Sequence, residues 1–200
     1  MFIGKWNKSV ILSYVGVIFA CFGIYLAISG YSNFACICLI CAGICDMLDG
    51  VVARSIRRSE EEKQFGIELD SLADMVDFIA LPIVIILANN QNSFSVLASF
   101  ALAICGIARL ANFNILAKPR TKKLSHYQGL PVTFSALIFP VAFILAKLFY
   151  QEQTNFVLPI TACLVAFFNI LNIKVPKPYG IAFGIFGGVA IALTILLIIL

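Results

Sequence analysis

Four aspartates dominate the chemistry available to this sequence. Asp46 and Asp49 sit in D-M-L-D-G-V-V-A-R at 46–54, and Asp70 and Asp74 close F-G-I-E-L-D-S-L-A-D at 65–74. Both stretches are the ends of otherwise apolar segments. A carboxylate in the middle of a bilayer costs roughly 2.5–3.5 kcal/mol on insertion scales, so four in one region require a shared partner. Asp46 and Asp49 are three residues apart, Asp70 and Asp74 four, and in helices each pair occupies one face. Four such carboxylates repel one another unless cations join them. Hard divalent cations take oxygen ligands, and two of them about 3.5–4 Å apart are a recurring device for phosphoryl transfer. The sequence therefore predicts a two-cation site, Mg²⁺ or Mn²⁺, held by Asp46, Asp49, Asp70 and Asp74. Gly50 and Ala53 keep the same face of the first segment bare, and Arg54, one turn beyond Gly50, is placed to address phosphate oxygens. The alternative is that these are carboxylates at helix ends, reaching for water or for the loop arginines.

The elements that must position them are membrane helices. Of 200 residues 62% are apolar and only 12% charged, with a mean hydropathy of +1.01. Soluble domains carry about 25% charged residues, so the bilayer must serve as solvent for much of this surface. Apolar runs at 9–29, 33–53, 67–88, 93–117, 129–150, 155–173 and 179–200 are each near the 20 or so residues that cross the hydrocarbon as a helix. None alternates with period two, which excludes a membrane barrel. The expected fold is all-α, a polytopic membrane bundle of about seven transmembrane helices in one domain spanning 1–200. Trp6 between Lys5 and Lys8 reads as an interfacial anchor, and the first run lacks a small-x-small cleavage site, so no cleavable signal peptide is expected.

All Lys and Arg except Lys147 and Arg109 fall in connections on one side of this topology. The positive-inside rule then puts the N-terminus in the cytoplasm and the C-terminus outside. Both aspartate pairs come to the cytoplasmic end of the bundle: Asp46 and Asp49 in the last turns of the second span, Asp70 and Asp74 in the first turns of the third. No internal repeat appears, which argues against a secondary transporter. A cation transporter would also want its carboxylates near mid-membrane and would have no use for Gly50, Ala53 and Arg54. The seven cysteines lie inside apolar runs and show no C-x-x-C spacing, and they read as small apolar core residues.

The pattern Asp46-x2-Asp49-Gly50-x2-Ala53-Arg54, followed by Gly66-x3-Asp70-x3-Asp74, resembles the hallmark of the CDP-alcohol phosphotransferase family. F-G-I-E-L-D-S-L-A-D at 65–74, Phe78, Pro82, the A-R-L-A-N-F-N-I run at 108–115 and Q-G-L-P at 128–131 are similar to its CDP-diacylglycerol–serine O-phosphatidyltransferase branch. The likeness is strong over about 35–135. Two departures stand out. The eleven residues between Arg54 and Gly66 form a longer spacer than is usual, read here as a cytoplasmic loop, and Asp77 stands where that branch more often has serine.

The resemblance implies a six-helix core with an extra C-terminal span, in the cell membrane of a prokaryote. It implies direct transfer of a phosphatidyl group from CDP-diacylglycerol to the hydroxyl of L-serine, with CMP leaving. Glycerol phosphate or inositol phosphate are the alternative acceptors. By motif position Asp46, Asp49, Asp70 and Asp74 would be metal ligands, with Asp74 also the general base, and Asp49, Gly50, Ala53 and Arg54 would line the nucleotide site. No nucleic-acid partner is expected.

Outside the motif, Arg109 lies about 12 Å inside its span at 1.5 Å per residue. It either meets the acceptor carboxylate or a lipid phosphate, with Asn112 and Asn114 on neighbouring faces, or pairs with Asp77. Lys122 in the basic loop 118–123 and His126, the lone histidine, near Gln128, are further candidates for binding acceptor or lipid phosphate, though positive-inside loops are basic in any case. Gly180, Gly184 and Gly188 form a small-x3-small stripe on the last span, suited to packing within the bundle or to a homodimer.

Overall fold

The computed structural model describes residues 4–6, 10–117, 126–149, 154–176 and 181–200. The protein is an all-α polytopic membrane bundle. Helices α1 (Ile11–Ile28) and α2 (Ser32–Ser55) form a tight antiparallel pair. Helix α3 (Glu60–Met75) continues through a π-helical turn (Val76–Ala80) into α4 (Leu81–Asn89), making one rod of 30 residues. Helix α5 (Ser93–Ala117) follows, then strand β1 (His126–Gln128), α6 (Ser135–Phe149), α7 (Thr154–Ile170), strand β2 (Lys174–Pro176) and α8 (Ile181–Ile199). Four apolar helical stretches are long enough to cross a membrane, namely 11–28, 32–53, 60–89 and 93–116, and three shorter ones lie at 132–148, 156–170 and 184–199. These match the seven runs read from the sequence. Large exposed apolar side chains such as Ile18, Phe22, Leu97, Ile104, Phe167 and Ile191 are distributed over the outer helix faces, as a lipid-solvated bundle requires.

Close helix packing has a sequence cause. The buried face of α1 consists of Ser13, Gly16, Ala20, Gly23 and Ala27. A methyl group at Gly23 would come within 2.9 Å of the Cys38 side chain on α2, and one at Gly16 within 2.8 Å of the Asp77 carboxylate. Small side chains let backbones approach where lipid offers no hydrophobic drive for association. Helix α1 stops at Gly30, whose φ of +85° lets the Gly30 and Tyr31 N–H groups return to the carbonyls of Ala27 and Leu26.

Two differences from the sequence expectation affect the site. The spacer after Arg54 is not all loop. Helix α3 begins at Glu60, under a capping box in which Ser59 Oγ accepts from the Glu62 N–H and Glu62 accepts from the Ser59 N–H. Asp70 and Asp74 therefore lie in the third and fourth turns of their helix rather than in its first turns, held in a helical arm that extends before the apolar run. The bundle also carries one short antiparallel ribbon, β1 with β2, in which Gln128 faces Lys174 and Tyr127 faces Val175. It ties the approach to α6 to the exit of α7. Gly129 beside it has φ +72° and would drive a methyl group into the Asn169 carbonyl, so that turn requires glycine.

Candidate metal and substrate site

Helices α2 and α3 bring the aspartates together. One carboxylate oxygen from each of Asp46, Asp49 and Asp70 lies within 4.8 Å of the others. Asp74, one turn beyond Asp70 on the same face, is buried at 7% exposure but falls outside that group. Charge interactions nevertheless link Asp74 to Asp46 and Asp70, and the buried Arg109 of α5 acts on Asp46, Asp70 and Asp74. All four aspartates and Arg109 thus share one electrostatic neighbourhood.

The donor set is entirely carboxylate oxygen, converging from two helices, and suits a hard divalent cation. The ion pairs recorded among the described residues, Lys5–Glu61 and Lys63–Glu60, lie away from it on exposed side chains. Arg109 packs over the Phe113 ring, 5.3 Å from the centroid.

Helix α1 supplies a feature that the motif does not contain. Ser13 Oγ donates to Asp49 Oδ2 at 2.8 Å, and both side chains are buried. This orients the Asp49 carboxylate within the cluster. Hydrogen bonds of this kind orient metal-binding carboxylates, and their loss typically weakens metal affinity 10- to 100-fold. Ser13→Ala is expected to weaken Mn²⁺ binding about tenfold, measured by titrating the purified protein. Unchanged affinity would mean that Asp49 needs no such support. The sequence signal was a serine on the small-residue face of an apolar helix, which by itself reads as packing.

On the other side of α3, Ser71 Oγ donates to Asn114 Oδ1 at 2.6 Å, and Asn114 Nδ2 donates to Glu68 Oε2 at 3.1 Å. These contacts fasten α3 to α5 at the level of Asp70. The π turn that follows sits just ahead of Pro82, which lacks the N–H a regular helix would send back to residue 78. Leu81 N–H reaches the Val76 carbonyl instead. Asp77 within this turn is 3% exposed, against Gly16.

The aspartates open into a cavity of about 280 Å³. Asp46, Asp49, Gly50 and Asp70 form its polar end, and side chains of α2, α6 and α8, including Ile44, Leu137 and Phe186, form apolar walls. Gly50 lines this cavity, and Ala53 lies half-buried one turn further along α2. The Arg54 side chain and that of His126 lie outside the described residues, as do Lys122 and the whole 118–125 connection. Asn112 is exposed and donates to Gln128 Oε1 at 3.4 Å, joining α5 to the ribbon. A second cavity of about 210 Å³ lies there, lined by Arg109, Asn112, Gln128, Asn169 and Asn172. Asn169 on α7 was not singled out by the sequence.

Comparison with known proteins places the bundle in one family. Archaetidylserine synthase of Methanothermobacter thermautotrophicus is 31% identical over 159 residues, covering 78% of this chain and 64% of that protein. CDP-diacylglycerol–serine O-phosphatidyltransferase of Saccharomyces cerevisiae is 35% identical over 162 residues, covering 70% and 57%. The enzyme of the same name from Methanocaldococcus jannaschii is 33% identical over 134 residues, covering 67% and 59%. The chain spans 57–64% of the length of these relatives. The sequence model of the CDP-alcohol phosphatidyltransferases matches residues 6–196, nearly the whole bundle, and this chain belongs to that family.

Proposed function

We propose that the protein transfers the phosphatidyl group of CDP-diacylglycerol to L-serine, giving phosphatidylserine and CMP. The observation that carries this reading is the carboxylate cluster of Asp46, Asp49 and Asp70 at the mouth of an apolar-walled cavity within a membrane bundle. A lipid with a pyrophosphate head needs that combination. Serine as the acceptor rests on the named relatives and on Leu69-Asp70-Ser71.

In this reading Asp46, Asp49, Asp70 and Asp74 would hold two divalent cations, which when bound would supply positive charge to offset that of the pyrophosphate and the leaving CMP. Gly50 and Ala53 leave room for the nucleotide against α2, and Arg54 addresses its phosphates. The apolar walls take the acyl chains and keep water from the reacting phosphorus. Asp74 accepts the proton of the serine hydroxyl. The hydroxyl oxygen forms a bond to the phosphorus that carries the diacylglycerol, the bond from that phosphorus to the CMP oxygen breaks, and no covalent enzyme intermediate forms. The site faces the cytoplasm, a reading supported by the basic connections at that end of the bundle. The protein acts as a homodimer, for which Gly184 and Gly188 offer a bare stripe on α8: a methyl group at either would meet nothing within 4 Å.

Purified protein with CDP-diacylglycerol and Mn²⁺ or Mg²⁺ should release CMP when serine is added, and chelation with EDTA should stop it. CMP release with glycerol phosphate or inositol phosphate but not with serine would overturn the choice of acceptor. No CMP release with any alcohol would overturn the transferase itself.

A further inference from the structure

We infer that the second cavity, between α5, α7 and the β-ribbon, is the seat of the amino acid, with Asn169 binding its ammonium group and Arg109 its carboxylate. This rests on the serine reading above. Asn169 is 3% exposed, and neither its amide oxygen nor its amide nitrogen has a hydrogen-bond partner among the described residues. A buried amide with both ends unsatisfied is costly and calls for a missing partner. It lines the cavity together with Arg109, Asn112, Gln128 and Asn172.

The chemistry of these walls selects the ligand. Among the described residues of the lining Arg109 is the one cation and none is acidic, while amides make up the rest of its polar part. An alcohol bearing a phosphate dianion would call for more than one cation. A zwitterionic amino acid matches: its carboxylate takes the guanidinium, and its ammonium, which can only donate, takes the amide oxygens of Asn169 and Gln128. The position matches as well. Arg109 faces this cavity and also acts on Asp46, Asp70 and Asp74. An amino acid held by its two charged groups here has its side-chain hydroxyl left to reach toward Asp74. The turn at Gly129 fixes the far wall, because its backbone lies against the Asn169 carbonyl. The Asn112–Gln128 hydrogen bond closes the side toward the ribbon.

The test is steady-state CMP release by the full chain, with serine, 3-hydroxypropionate (no ammonium) and ethanolamine (no carboxylate) as acceptors. Asn169→Ala is expected to raise the KM for serine about tenfold or more, the scale of one lost hydrogen bond to a charged group. The KM for CDP-diacylglycerol should stay within about twofold, which a general packing defect would not allow. The preference of the wild type for serine over 3-hydroxypropionate should fall in the variant by a similar factor of about ten. An unchanged serine KM and unchanged preference in Asn169→Ala overturn the assignment while leaving the transferase intact. If that variant does not fold, Asn112→Ala, at an exposed position, should raise the serine KM several-fold, and an unchanged KM there overturns it equally. A wild type that releases no CMP with serine overturns the function proposed above and this assignment with it.

Discussion

Asp70→Asn should lower CMP release about a hundred- to a thousandfold, the scale seen when one preorganised charge-stabilising group is removed from a polar site, and should weaken Mn²⁺ binding in parallel. The change is nearly isosteric, so packing between α3 and α5 is kept, including the Ser71–Asn114–Glu68 chain of hydrogen bonds beside it. What changes is one of three carboxylate oxygens that lie within 4.8 Å of one another. Asp46 and Asp49 both come from α2, so Asp70 is the member of that group that closes the site from α3. An amide oxygen is a poorer ligand for a hard cation and brings no charge. The same substitution has an opposite effect on the metal-free protein. Asp46 and Asp49 each interact unfavourably with the Asp70 charge, so removing that charge relieves repulsion in a buried cluster. In EDTA the variant should therefore melt at a higher temperature than the wild type, and adding Mn²⁺ should raise the wild-type Tm more than that of the variant. A variant that keeps near wild-type rate and Mn²⁺ affinity would remove Asp70 from the metal site. A variant that loses both activity and thermal stability in EDTA would show that Asp70 is needed for folding rather than for charge.

Much of this site was legible in the sequence, because lipid makes the rules strict. Carboxylates at i and i+3, or at i and i+4, in apolar runs can belong only to helix faces, and their cost in a bilayer demands a common partner. What escaped was information written in the packing. Ser13 meets Asp49 only because Gly16, Ala20 and Gly23 let α1 lie close against its neighbours. Asn169 looks like one more polar residue near the end of a span until Gly129 and the ribbon enclose it. The π turn at Val76–Ala80 depends on where the Pro82 ring falls on the rod. The early start of α3 has a sequence signal, since Ser59 and Glu62 have capping-box spacing, but the charges of 57–63 read as loop when hydropathy alone sets the boundaries. The convergence of Asp46, Asp49 and Asp70 was therefore legible without coordinates, whereas the groups that orient them and those that line the second cavity were not.

Asp74→Asn separates chemistry from metal binding. Asp74 lies one helical turn past Asp70, buried, yet outside the group of oxygens formed by Asp46, Asp49 and Asp70. Of the four aspartates it is the one least committed to the cluster and so best placed to keep an oxygen for a proton. General-base catalysis contributes about 10²–10⁴ in rate. The variant should release CMP about a thousandfold more slowly at saturating serine, with Mn²⁺ affinity reduced by less than about tenfold, because three carboxylates remain to hold the cations. Asp70→Asn should lose rate and affinity together, so the ratio of the two losses distinguishes base from ligand. Asp74→Glu gives a second reading. It restores the carboxylate but moves it by one methylene, and a misplacement of about 1 Å can cost about a hundredfold. The Glu variant should therefore recover part of the rate lost in Asn, without improving the KM for serine. Equal losses of rate and Mn²⁺ affinity in Asp74→Asn would make Asp74 a ligand alone. The proton of the serine hydroxyl would then need another acceptor within the same carboxylate cluster.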